Sequence, residues 1–413
     1  MPVSRPQSPA ARRLLLPTGV GVLLAVGGLL LTSCGDGYPP ALLANTAPPS
    51  VRVLLTKAGT SPRITVRDQA WRLEVGGRRQ EGSTDLDMRL GVAGGSLTLD
   101  GRPAGGTTLR LHVARHFELD GRPYPGTLRA RIDDKGRLEV VDELDMETYV
   151  AGVIGNEVGP GARPATYRAQ ALCARTYVYE KVQEAGAASR PWHVTDDTRS
   201  QVFGGMDVPT SYGITWSQML QATSANRGVV LTARGHPIHA YYSSTCGGHT
   251  TDAQTSQLDP GPAPEVLRGV PCPWCAPSEA YASKYFRWTE DVPQARLAKG
   301  LQRWGGISLP VHEVRIVEQG RGGWAATVEV VYGPSQRTKR LPGIHFRSVA
   351  GLRSHRIERI ERQADGSFRI TGGGWGHGVG MCQVGAIQMG LRGATESDIV
   401  RFYYPGAVLA RMY

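Results

Sequence analysis

Leu144-Asp-Met-Glu-Thr-Tyr-Val-Ala-Gly-Val-Ile-Gly-Asn-Glu-Val158 carries a carboxylic acid where a helix should bury a hydrophobe. Val150, Val153, Ile154 and Glu157 recur at the 3.6-residue spacing of one helix face. A carboxyl held on that stripe without a cation has its pKa raised by desolvation, and an acid still protonated near neutral pH can donate a proton. The competing reading is a half-exposed glutamate at a helix end, neutralised by an arginine. Tyr167-Arg-Ala-Gln-Ala-Leu-Cys-Ala-Arg-Thr-Tyr177 follows as a second helix, with Ala169, Leu172, Cys173 and Thr176 on one side. The intervening Gly159-Pro-Gly-Ala-Arg-Pro164 cannot continue a helix, so an αα-hairpin is expected.

Further motifs follow in order: Asp197-Thr-Arg-Ser-Gln-Val-Phe-Gly-Gly205, His239-Ala-Tyr-Tyr-Ser-Ser-Thr-Cys-Gly-Gly-His-Thr-Thr251, and Gly372-Gly-Gly-Trp-Gly-His-Gly-Val-Gly-Met-Cys-Gln-Val-Gly-Ala386. Together with the helical hairpin they resemble the SpoIID/LytB domain family, that of stage II sporulation protein D, across roughly residues 125 to 413. The resemblance implies a peptidoglycan lytic transglycosylase that cleaves glycan strands, chiefly strands already stripped of peptide. It places the catalytic acid on Glu157 and substrate contacts on Arg175, Gln201, Tyr242, Ser243, Ser244, Trp375, Gly376, His377 and Gln383. Some proteins with this domain are instead wall-binding modules or enhancers of cell-wall amidases, which gives an alternative from another class.

Residues 1–34 read as a lipoprotein signal peptide. Arg5, Arg12 and Arg13 precede an apolar run from Leu14 to Leu31 that is interrupted by Pro17, and Leu31-Thr-Ser-Cys34 looks like a lipobox. Cys34 would then carry lipid and tether the chain to a membrane outside the cytoplasm. An uncleaved anchor and a plain signal peptide are the other two readings. The 413 residues are 40% apolar with a formal charge of +11, enough for a folded core and a basic surface suited to anionic cell-wall polymers or headgroups. Export and the lack of a nucleic-acid motif speak against nucleic acid as a partner.

Residues 35–50, proline-rich from Tyr38, form a linker. Between residues 51 and 124, short apolar runs such as Val51 to Leu55, Arg63 to Arg67, Ser96 to Leu99 and Thr108 to Val113, separated by glycine turns, predict a β-rich region. Strands at Thr127 to Ile132 and Arg137 to Val141 lead into the Glu157 helix. Residues 286–369 read as an accessory insertion, with a helix from Val292 to Trp304 and strands at Val311 to Glu318 and Ala325 to Tyr332. Hairpins and helices without regular alternation argue α+β.

With Cys34 assigned to lipid, Cys173, Cys246, Cys272, Cys275 and Cys382 remain. Cys246-Gly-Gly-His249 and Cys272-Pro-Trp-Cys275 form two chelating pairs at spacing suited to a structural tetrahedral zinc. His239 is a substitute ligand. Disulfides, favoured outside the cytoplasm, and free thiols are the competing states. Cys173 and Cys382 read as buried thiols, or as a mutual disulfide.

Glycines 372, 374, 376, 378 and 380 alternate with larger residues. On an extended segment one face would be bare backbone that a sugar can approach, flanked by Trp375 and His377. The alternative is a tight crossing of two strands. No H-E-x-x-H, nucleophile elbow or phosphate loop is present. Asp196 or Asp197 could pair with Glu157 for ordinary hydrolysis as a muramidase, whereas a lytic transglycosylase needs one glutamate.

Overall fold

The computed structural model describes residues 47–158, 161–184, 186–209, 213–277 and 285–413. The expected signal peptide, Cys34 and the linker up to residue 46 lie outside the described residues.

The described chain is α+β, with a β-rich N-terminal part. A seven-stranded sheet runs in the order Val194–Thr195, Ser50–Leu54, Leu138–Asp145, Thr127–Ile132, Thr108–Val113, Trp71–Val75, Arg78–Gly82. Its pairings are antiparallel except the first, where Val53 faces Val194 in parallel. A six-stranded sheet holds Arg122–Tyr124, Phe117–Leu119, Arg63–Val66, Leu86–Ala93, Ser96–Leu99 and Arg102–Pro103. Val51, Val53, Leu109, Leu111 and Leu128 of the first sheet and Ile64, Leu90 and Leu97 of the second lie in one apolar core. Alternation along these strands explains that core, because successive side chains point to opposite faces.

The strand Leu138–Asp145 feeds directly into helix α1 (Met146–Glu157), which Asp145 caps by accepting from the backbone N–H groups of Glu147 and Thr148. Helix α2 (Pro164–Gln183) starts on a proline, whose missing N–H costs nothing at that position. The expected hairpin is thus formed, and α2 separates two cores. Ala171, Ala174 and Val178 face the core of the sheets. Ala169, Leu172 and Cys173 face a second core shared with the strand Val229–Ala233 and the C-terminal region.

Helix α3 (Trp216–Ala225) packs on α1. The segment expected as one helix from Val292 to Trp304 is divided. Strand Trp288–Val292 ends at Pro293, and helix α4 (Gln294–Gly300) then tightens into a 3-10 turn over Leu301–Trp304. Pro293, the N-cap of α4, cannot donate to a ladder, so the strand stops there. Strands Val311–Gln319, Ala325–Tyr332 and Arg337–Pro342 and helix α5 (Gly343–Ala350) complete this part around a third core, which includes Leu297, Val328, Phe346 and Ile370. Helices α6 (Gln383–Leu391) and α7 (Glu396–Tyr403) and the strand Val408–Arg411 return the chain to Val229–Ala233.

Candidate active site

Helix α1 is buried all round from Tyr149 to Gly155, not along one stripe. Gly152 and Gly155 explain this: a Cβ at either would stand 2.5 Å from the ring of Phe203 or 2.6 Å from Val208. From Tyr149 onward the helix therefore runs through the interior until its last turn, where Asn156 and Glu157 reach partial exposure.

The Glu157 carboxylate is held by donors from three distant segments. Its Oε1 accepts from the Val202 backbone N–H at 2.8 Å. Its Oε2 lies 3.4 Å from the Gln383 amide nitrogen, which also bonds the Glu157 carbonyl at 3.1 Å. The Tyr242 hydroxyl is its third partner. Burial pushes the Glu157 pKa above the ordinary carboxylate value, and these three hydrogen bonds only partly oppose it. No cation is among the groups that act on it.

Gln201 sets the direction of the tyrosine. Its Oε1 accepts from the Tyr149 hydroxyl at 3.1 Å, so its amide nitrogen must face the other way and donate to the Tyr242 oxygen at 3.1 Å. The Tyr242 proton is left for Glu157. Gln201, expected to touch substrate, is buried and donates to Tyr242 instead. Tyr149, the Val202 amide and Gln170, whose Oε1 lies 3.4 Å from the Gln383 amide nitrogen, were not legible as site groups, because nothing local distinguishes them from core or loop.

Arg175 does not make the expected substrate contact. It is fully buried, and its Nε and Nη2 bond Glu147 at 2.9 and 2.6 Å. Its remaining bonds go to Asn226 Oδ1, Val229 O and Thr223 O. Glu147 also accepts from the Tyr413 hydroxyl at 2.7 Å and the Gly228 amide at 3.0 Å. One helix thus carries two carboxylates in opposite settings: Glu147 is ion-paired, and Glu157 has no cationic partner among the described residues.

Asp196 accepts from Thr56, at 3.0 Å from its amide and 2.5 Å from its hydroxyl. Asp197 is ion-paired with Arg199 at 2.9 Å, which together with hydrogen bonds pulls its pKa down to about 2. Neither is among the groups that act on Glu157.

The glycine segment is not a bare strand face. Gly376 and Gly378 have φ of 113° and 77°, in the left-handed region. A Cβ on Gly376 would lie 2.7 Å from Ser243 Cβ, and one on Gly378 would lie 2.2 Å from the Trp324 ring. Gly376 permits a close crossing with the segment through Ser243 and Gly378 close packing on Trp324, so the expectation of an open sugar wall at Gly376 is corrected to a packing seam. His377 is likewise engaged: Nδ1 accepts from the Val379 amide at 3.1 Å, so Nε2 carries the proton and donates to the Tyr242 carbonyl at 2.9 Å. Desolvation lowers its pKa to about 4, keeping the ring neutral. Ser243 is buried, and Ser244 gives its carbonyl to the Val384 amide. Trp375 alone stays open, 40% exposed, with Tyr285 edge-on at 4.3 Å.

The Sγ atoms of Cys246, Cys272, Cys275 and Cys382 lie within 4.8 Å of one another, all buried. Tetrahedral zinc at about 2.3 Å per thiolate needs sulfurs roughly 3.8 Å apart, so this set can hold a metal. Backbone amides of Cys246 and Gly385 point at Cys382 Sγ at 3.3 and 3.4 Å, a bonding pattern that suits a thiolate. His249 is not in the set; its Nδ1 faces the Thr250 carbonyl at 2.5 Å. His239 pairs with Glu180 at 2.8 Å. The fourth cysteine of the set is Cys382, which caps α6 one residue before Gln383. Cys173 stands apart beside Tyr404, a free thiol pushed up to about 12 by burial.

A family described as Stage II sporulation protein matches residues 134–232. Stage II sporulation protein D of Bacillus amyloliquefaciens is 32% identical over 274 residues, covering 64% of this chain and 74% of that protein. The chain belongs to the SpoIID family. The Bacillus subtilis stage II sporulation protein D is 31% identical over 278 residues, with 65% and 76% covered. A B. subtilis protein named amidase enhancer is 26% identical over 364 residues, 78% of this chain but 49% of its own length. Within the SpoIID chain, residues 277–380 also match a domain of unknown function, DUF8618.

Proposed function

We propose that this SpoIID-family chain is a peptidoglycan lytic transglycosylase with Glu157 as its single general acid and base. One observation carries the reading: a carboxyl emerging from a buried helix, held by three neutral donors, without a cation, its pKa raised by burial. The protonated acid gives its proton to the glycosidic oxygen as the C1–O bond breaks. The resulting carboxylate takes the proton of the muramic-acid C6 hydroxyl, and O6 closes on C1 to form the 1,6-anhydro ring. Glu157 ends protonated, as it began. No second carboxylate or activated water is required, and ring closure gains from the high effective molarity of an intramolecular nucleophile. The engagement of Asp196 and Asp197 elsewhere supports this over two-carboxylate hydrolysis. Tyr242, aimed by Gln201, and the Gln383 amide steady the carboxylate between its two states, and Trp375 offers a stacking face.

The four cysteines would hold a structural zinc that joins the Cys246 turn, the Cys272–Cys275 turn and the start of α6. A closed four-thiolate shell has no open position, so its contribution is to folding and to the placement of Gln383. Lipidation at Cys34 would keep the enzyme on a membrane outside the cytoplasm, beside its glycan substrate.

The likeness to an amidase enhancer favours a second reading, a non-catalytic wall-binding partner of an amidase. Incubation of the protein with amidase-stripped glycan strands, read by mass spectrometry, separates the readings. Anhydromuramyl ends support the lyase, reducing ends indicate a hydrolase, and unchanged strands indicate the enhancer.

A further inference from the structure

The part of the chain that matches a domain of unknown function carries a groove that the Glu157 chemistry does not use. It lies between α4 with its 3-10 extension and α5, has a volume of about 710 Å³, and shares no residue with the site above. Gly300 lets the two elements close up, since a Cβ there would stand 2.5 Å from the Val349 carbonyl oxygen. Its walls include Arg296, Lys299, Arg303, Trp304 and His345, and no acid.

Arg296 and Lys299 stand on α4 and Arg303 on its 3-10 extension, and all three line the groove. Arg296 reaches the Ala350 carbonyl at 3.5 Å, and neither Lys299 nor Arg303 makes an ion pair among the described residues. Lys339 adds a fourth cation, its Nζ 3.4 Å from where a Gly305 Cβ would be. Trp304 is 40% exposed and is backed by the His345 ring at 4.3 Å, which fixes the indole in place. His345 Nδ1 is buried without a hydrogen-bond partner.

A fixed, exposed indole stacks on the apolar face of a sugar, and a ladder of unpaired cations suits a polymer with repeated charge better than a single small anion. Glycan strands stripped of peptide have this chemistry, because each muramic acid then bears a free lactyl carboxylate. We propose that this groove is a second binding site for peptide-stripped glycan strand, which holds the polymer through its carboxylates and sugar faces while another part of the strand occupies the Glu157 site. The proposal rests on the glycan-strand reading above.

The test uses the full chain with Glu157→Gln, so that strands stay intact, and measures fluorescence polarisation of labelled stripped strands. Lys299→Glu with Arg303→Glu lowers affinity about tenfold at low salt, and the difference shrinks as salt screens the charges. Trp304→Ala lowers it about fivefold with little salt dependence. Melting temperatures stay at the parental value, because all three side chains are exposed. Methyl-esterified stripped strands bind the parent as weakly as unmodified strands bind the charge-reversed variant. Unchanged affinity of the charge-reversed variant for stripped strands would overturn the proposal, as would equal binding of esterified strands. Loss of teichoic-acid binding alone, with strand binding intact, would also overturn it. Cleavage of a short oligosaccharide with Glu157 restored reads the catalytic site separately: Lys299→Glu with Arg303→Glu leaves that rate unchanged if the groove is a distinct site, and a collapse of the rate would refute that distinction.

Discussion

Arg175→Met tests whether the buried arginine is structural or a substrate ligand. Methionine keeps much of the volume but removes every donor, so Glu147 remains buried with only the Tyr413 hydroxyl and the Gly228 amide. Orphaning one member of a buried ion pair costs about 3–5 kcal/mol. The unfolding entropy of about 2.1 cal/mol/K per residue converts that cost to a fall in Tm of roughly 5 °C for a cooperative unit of this length. Glu147→Gln added to Arg175→Met removes the orphaned charge and should recover more than half of the loss. The assay is calorimetry of the three variants, with stripped-strand affinity measured well below the lowest Tm. The structural account expects a lowered Tm and parental affinity in the folded protein. An unchanged Tm with lost affinity would refute it and return Arg175 to the substrate.

Metal analysis of protein purified without chelator should find one zinc per chain, lost in Cys382→Ser and kept in His249→Ala; retention in the first and loss in the second would mean that the ligand set is wrong. Gly376→Val should lower thermal stability, by about 1–3 kcal/mol for overpacking plus left-handed backbone strain, before any effect on strand affinity is visible. A pure affinity loss at unchanged Tm would restore the sugar wall. Glu157 has its folded-state pKa raised, so it supports stability fully below the unfolded carboxyl pKa and loses that support as pH rises through the folded value. Stability of Glu157→Gln relative to wild type should therefore rise as pH increases above the unfolded carboxyl pKa of about 4, by about 1.4 kcal/mol for every tenfold difference in proton affinity between the folded and unfolded carboxyl. A flat difference would contradict the raised pKa.

The strands and the helical hairpin were legible because alternation, glycine turns and Pro164 act locally. The Glu157 position was legible for the same reason, although the helix is buried all round through Gly152 and Gly155, which no apolar stripe announces. Arg175 illustrates the limit: a polar residue in an apolar helix gives one signal whether it faces substrate or a buried glutamate on the preceding helix. Cys382 was missed as a member of the four-cysteine cluster because chelating spacing is a local signal and its partners lie on other turns. Its position directly before Gln383, and the odd number of cysteines once Cys34 is set aside, were the available clues. The glycine segment misled because alternation in sequence does not disclose φ, and positive φ at Gly376 and Gly378 breaks the strand geometry that alternation assumes.

The central claim is that one glutamate performs both proton transfers, and mass spectrometry of stripped glycan strands incubated with wild type and with Glu157→Gln tests it most directly. The account predicts anhydromuramyl ends from wild type and a rate reduced by roughly 10²–10⁴ in Glu157→Gln, with strand binding retained. Anhydromuramyl ends formed by Glu157→Gln at the wild-type rate would contradict it.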